Sequence, residues 1–135
     1  MTTRVDPVGA GDAIRARVPE LLRTYRSTRA NVLEGGSVAP AIKQLCARYL
    51  AGDEELVDAG EAEAYDERER AALGWAEAIA WDPELADDDL WNRLHANFSE
   101  PELVELGYYM AIVYGQLRWL RTLGIRPPRD ELLAP

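Results

Sequence analysis

Apolar residues recur along this chain three or four positions apart in nearly every segment, the spacing of helices rather than strands. Ile14, Val18, Leu21, Leu22 and Tyr25 fall at i, i+4, i+7, i+8 and i+11, a single helical stripe. Pro19 interrupts it. The pattern therefore predicts a short turn and then a helix with Pro19 in its first turn, where a proline loses no needed hydrogen bond. Gly35-Gly36 ends that region, and Ser37 is placed to cap a helix whose face is Val38, Ala41, Ile42, Leu45 and Tyr49 and which closes at Gly52. Residues 53–65 carry only acidic charge, seven acids once Asp66 is counted, and predict a solvated connector, with at most a short turn of helix.

Asp66 opens the next helix through a D-x-x-E capping box to Glu69, with Ala72, Leu73, Ala76, Ile79 and Ala80 as its inner stripe. Trp81-Asp82-Pro83 stops it, because proline disfavours helix at the residue before it. Residues 87–98 form a short amphipathic helix with Leu90, Trp91, Leu94 and Phe98 inward. Ser99-Glu-Pro-Glu102 is a second capping box, flanked by Phe98 and Leu103 at the positions of a hydrophobic staple. That helix runs to Leu123. Gly124 stands at the C′ position and Ile125 is placed to reach Leu120, as in a Schellman ending. The reading is an all-α, multihelical single domain over residues 1–135, with tails at 1–10 and 126–135.

Composition narrows the function classes. Of the 135 residues 47% are hydrophobic, enough for one packed core, and the net charge is −9, which opposes binding to nucleic acid or to an anionic membrane surface. The charge is layered: residues 52–105 carry 18 acids against 3 bases, while 1–51 and 106–135 are mildly basic, a layout that favours head-to-tail contact between copies or simply a solvated acidic face. The longest apolar run, residues 106–114, is far too short to span a bilayer. The N-terminus has no stretch of signal-peptide character and Cys46 is the only cysteine, so no intrachain disulfide forms and a cytoplasmic setting fits.

Three segments in order carry a resemblance. Ser37-Val-Ala-Pro-Ala-Ile-Lys-Gln-Leu45 is followed by Tyr65-Asp-Glu-Arg-Glu-Arg-Ala-Ala-Leu73 with Trp75-Ala-Glu-Ala78, and then by Phe98-Ser-Glu-Pro-Glu-Leu-Val-Glu-Leu106 leading to Arg118 and Leu123-Gly-Ile125. Over about residues 37–125 the chain resembles the carboxymuconolactone decarboxylase and alkylhydroperoxidase D-like family. The resemblance implies a multihelical fold assembled as homotrimers or hexamers. In active members it also implies a C-x-x-C pair with a nearby His at a helix start and a Glu one helix earlier, because thiol chemistry needs an attacking thiolate, a resolving thiol and a base. This chain departs from that pattern. The acidic 53–64 stretch stands where the cysteines and histidine belong, Gln44 replaces the Glu, and Cys46 falls at an apolar helix position.

The remaining candidates each have a bland and a sharp reading. Cys46 lies between Ile42 and Tyr49 at i−4 and i+3, the geometry of a packed core thiol. His95, the only histidine, borders Trp91 and Phe98; it is either a packed, hydrogen-bonded side chain or a general base in a pocket. Asp87-Asp88-Asp89 and Asp53-Glu54-Glu55 hold the right atoms for a cation, yet consecutive acids on a helix diverge, and the first run suits a helix N-terminus; no metal and no cofactor is expected. Tyr108, Tyr109, Tyr114, Gln116, Arg118 and Trp119 form a polar and aromatic minority on the last helix, for a subunit interface, other helices or a ligand. A pocket is expected where Arg118, Tyr108, Trp119, Trp75 and Gln44 gather with His95. Two functions follow. One is a catalytically silent protein, oligomeric or binding a small organic molecule, without thiol peroxidase chemistry. The other is a lyase or isomerase acting on a small organic acid or lactone, with His95 as base and Arg118 as anion anchor.

Overall fold

The structure, a computed structural model, describes residues 11–56 and 63–125, which form an all-α fold with no strand among them. Six α-helices follow one another: α1 (Gly11–Arg15), α2 (Pro19–Thr28), α3 (Pro40–Leu50), α4 (Glu67–Ala80), α5 (Asp88–Asn97) and α6 (Glu100–Thr122). A π-helical turn (Arg29–Leu33) extends α2, and 3₁₀ turns stand at Glu54–Leu56 and Pro83–Leu85. The expected tails 1–10 and 126–135 lie outside the described residues, as do Asp58 and Glu61 of the acidic stretch.

Local chemistry sets the helix ends. Both capping boxes form: Asp66 accepts from Glu69 N at 2.8 Å while Asp66 N donates to Glu69 Oε1 at 3.0 Å, and Ser99 N donates to Glu102 Oε1 at 2.9 Å. At the far end of α6, Ile125 N donates to Leu120 O at 2.9 Å and Gly124 N to Arg121 O at 3.0 Å, with Gly124 at φ +82. This is the Schellman pairing, and the positive φ is why glycine stands there. The end of α3 repeats it, with Gly52 at φ +89 and Asp53 N reaching Arg48 O at 3.1 Å.

The core lies where α3, α4, α5 and α6 meet. Ile42, Cys46, Ala47 and Leu50 of α3 pack with Ala72 and Ala76 of α4, Leu90 and Leu94 of α5, and Leu106, Met110, Val113 and Leu117 of α6. Alanines on α4 and Gly107 on α6 let these helices approach closely. A Cβ at Gly107 would lie 2.6 Å from the Trp75 ring, so the indole occupies the space that the missing side chain leaves.

Three local expectations need correction. Ser37 does not cap α3: the N-cap is Ala39, without a side-chain cap bond, and Ser37 sits two residues too early. Its backbone N–H and that of Val38 are instead taken by the Glu105 carboxylate of α6, at 2.7 Å each. Ala41 is exposed, and Lys43, Cys46 and Ala47 are buried in its place. The start of the acidic connector is not wholly solvated, since Leu56 is fully buried against Leu45 and Leu73. Most consequential for function, the helical stripe through Val18, Leu21 and Tyr25 forms as expected but is left largely uncovered. No residue of α2 is buried, and Val18 and Leu21 are exposed.

Candidate functional site: a groove between α2 and α6

The uncovered stripe of α2 faces a matching stripe of α6. Leu21, Thr24, Tyr25 and Thr28 fall at i, i+3, i+4 and i+7 of α2, and Tyr108, Ile112, Gln116 and Trp119 at i, i+4, i+8 and i+11 of α6. Each set is one side of its helix. With Glu20 at the rim they line an open groove of about 540 Å³, within the range of small-molecule sites and with the same mix of aromatic walls and few polar groups.

Arg15 of α1 organises this groove from below. Its side chain is 6% exposed, and its guanidinium lies 3.7 Å from the Tyr25 ring centroid and 5.6 Å from that of Trp119, beside both aromatic walls. Nη1 pairs with Asp12 at 3.0 Å, while Nε and Nη2 both donate to Gln116 Oε1, at 3.0 and 2.6 Å. The buried charge is thus balanced and hydrogen-bonded within the chain, as burial demands. Thr24 Oγ1 donates to Glu20 O at 3.0 Å, and Glu20 itself pairs with Arg23 at 2.8 Å at the surface.

The expected site residues separate under this geometry. Tyr108 and Trp119 do line the groove. Arg118, one residue before Trp119, points elsewhere: it is exposed and its Nε donates to Tyr114 Oη at 2.8 Å, while that hydroxyl donates to Ala80 O at 3.0 Å and ties α6 to the end of α4. Trp75 is half-buried over Gly107 and edge-on to Trp91, with centroids 5.2 Å apart. Gln44 is exposed on α3. His95 is exposed on α5 with its ring 6.0 Å from Trp91, and among the described residues no hydrogen bond or ring contact joins it to Arg118. None of these four lines the groove. A helical wheel of α6 places Tyr108, Ile112, Gln116 and Trp119 on one side, a signal present in the sequence. Arg15, Tyr25 and the α2 wall carried no such signal, because a stripe of that kind ordinarily faces a core.

Cys46 is fully buried, and desolvation pushes its thiol up to about 12, so the thiolate that peroxide or disulfide chemistry needs is not formed at neutral pH. Asp87 caps α5 by accepting from Leu90 N at 2.9 Å, with Asp88 and Asp89 in the first turn, where the helix dipole favours them. Among the described residues no group of three His, Cys, Asp or Glu side chains is placed to hold a metal ion. No described helix is long and apolar enough to cross a membrane. No protein-family model, curated protein or solved structure matches this chain.

Proposed function

We propose that this protein binds a small, largely apolar organic molecule in the groove between α2 and α6, and that it is a diverged alkylhydroperoxidase D-like protein without thiol peroxidase chemistry. The observation that carries the reading is the groove itself: two facing helical stripes that the chain leaves open, walled by Tyr25, Tyr108 and Trp119. The core position of Cys46 argues against thiol turnover, and with His95 beside Trp91 and Arg118 bonded to Tyr114 the acid–base alternative lacks an assembled pair among the described residues. A cytoplasmic setting accords with the single buried cysteine.

The same reading includes self-association. Val104, Tyr108 and Ala111 form an exposed apolar strip along α6, continuous with the groove's edge, and exposed strips of this kind mark interaction surfaces. A homotrimer or hexamer that uses this strip would wall the groove's open side. Light scattering at micromolar concentration should return a multiple of 15.1 kDa in low and high salt, because screening does not weaken apolar burial. A monomer in both removes the assembly.

The binding test is titration of the ¹⁵N-labelled protein with 2-acetylnaphthalene at up to millimolar concentration. Saturable shifts confined to Leu21, Tyr25, Ile112, Gln116 and the Trp119 indole support the groove. Their absence, or shifts centred on Trp91 and His95, rejects it.

A further inference from the structure

The groove has a polarity, and it is set by Arg15. A guanidinium only donates hydrogen bonds, so the side-chain oxygen of Gln116 must face Arg15, and the amide NH₂ must point away from it. Gln116 lines the groove, Arg15 does not, and among the described residues the Gln116 amide nitrogen has no acceptor. A donor-only group is therefore held towards the groove space by a charge-assisted clamp on its other end. The hydroxyls of Tyr25 and Tyr108 serve as donor or acceptor and add no preference of their own.

The electrostatics then choose between acceptors. Arg15 is neutralised by Asp12 at 3.0 Å and faces the two ring walls, so the floor offers no free cation. Glu20 stands at the rim, and the whole chain carries −9. A carboxylate entering here would lose hydration without gaining a counter-charge, whereas a neutral carbonyl needs only the donor that Gln116 presents.

Resting on the groove being the binding site, we infer that its ligand class is the neutral carbonyl compound with a flat apolar body — a ketone, ester or amide rather than an acid — with Gln116 Nε2 as the group that recognises the carbonyl oxygen and Arg15 as the residue that positions Gln116.

Three probes of one shape test this: 2-acetylnaphthalene, 2-ethylnaphthalene and 2-naphthoate, titrated by NMR into the full chain and into Gln116→Glu. That substitution keeps an acceptor for Arg15, so the fold and the Arg15 clamp stay intact, but it removes the donor. The ketone should bind the natural chain about five-fold more tightly than the hydrocarbon, the worth of one neutral hydrogen bond, and more tightly than the acid. In Gln116→Glu the melting temperature should not fall, and the ketone's advantage over the hydrocarbon should vanish. Equal binding of ketone and hydrocarbon to the natural chain overturns this inference and leaves the groove reading standing. So does a ketone advantage that survives in Gln116→Glu. Tighter binding of 2-naphthoate overturns the neutral-ligand choice. Failure of all three probes to shift the groove resonances overturns the groove reading itself.

Discussion

On one side of α6, Glu105 closes a junction in which every strong polar atom is spent inside the chain. Lys43, 2% exposed, donates to Val32 O and Gly35 O at 2.7 Å each and pairs with Glu105 at 3.1 Å, while the same carboxylate accepts from Ser37 N and Val38 N. Three turns along, Gln116, a lining residue of the groove, commits only its oxygen, to Arg15. Both places combine a buried cation with a polar side chain from α6. In the first, three ammonium protons meet three acceptors, so the ensemble has nothing left for a ligand and holds the entry to α3 in place. In the second, the two amide N–H donors of Gln116 remain. A buried charge thus signals a site only when the accounting of donors and acceptors leaves a remainder.

The largest effect that tests this contrast is at the closed junction. Glu105→Gln removes the countercharge from a nearly inaccessible ammonium and should cost about 3 kcal/mol or more, read as a lowered denaturation midpoint at unchanged slope. Acid should act on the same carboxylate. Burial alone would raise its pKa, but the hydrogen bonds from Ser37 and Val38 and the Lys43 ammonium outweigh burial and hold it below the usual glutamate range. Glu102 is held low as well, by hydrogen bonds from Ser99 and Arg68. A depressed folded pKa stabilises fully above the unfolded value of about 4.3 and progressively less as pH falls through the folded value. Stability should therefore be flat from neutrality down to about pH 5 and then fall. Glu105→Gln should fall less steeply, and an equal slope in the variant would show that Glu105 is not linked to folding.

The next effect compares two glycines of α6. Alanine at Gly107 would place its Cβ 2.6 Å from a Trp75 ring that Trp91 holds edge-on, so the ring has little room to move. Gly107→Ala should cost about 1–2 kcal/mol even after the gain in helix propensity. At Gly115, beside the groove stripe, nothing lies within 4 Å, and the same change should stabilise by about 0.5–1 kcal/mol. Opposite signs in thermal denaturation express the contrast between the packed and the open side of one helix. Two losses of equal size would remove it.

Cys46→Ser comes third. A hydroxyl in place of the fully buried thiol should cost about 0.5–2 kcal/mol. Turnover of organic hydroperoxides should be no higher in the natural chain than in the variant, and a disulfide reagent should modify Cys46 only as fast as the protein opens. A clear loss of peroxidase activity on substitution would make this thiol functional after all.

What was legible in the sequence was what neighbours in the chain decide. The boxes at Asp66 and Ser99, the Schellman ending at Gly124 and the all-α periodicity depend on contacts within a turn or two. What was not legible depended on how helices sit against one another. Nothing in the run around Lys43 says that Glu105 will reach it, and so Ser37 looked like the cap. Tyr108 and Trp119 both line the groove because they share a side of α6, whereas Arg118 differs from Trp119 by one step of about 100° around the helix and bonds to Tyr114 instead. The α2 stripe is plain in the sequence but its neighbour is not, because amphipathicity reports that a face is apolar, not what covers it.

That uncovered stripe yields the smallest expected stability change and the most direct separation of the two regions. Leu21 is 45% exposed and α2 buries no residue, so Leu21→Ala removes little area that is dry in the folded chain. Its cost should stay below about 0.5 kcal/mol, the ordinary range for a surface position. Binding of 2-acetylnaphthalene should nevertheless weaken several-fold, since the leucine is one wall of the groove. Hydrogen exchange adds the dynamic side. Few buried contacts hold α2, so its amides should exchange through local opening, well ahead of those around Met110 and Val113, and a bound probe should slow them selectively. The whole contrast gives way if α2 exchanges as slowly as the middle of α6 in the free protein, because a helix that stable is already covered, and its groove would not be waiting for a ligand.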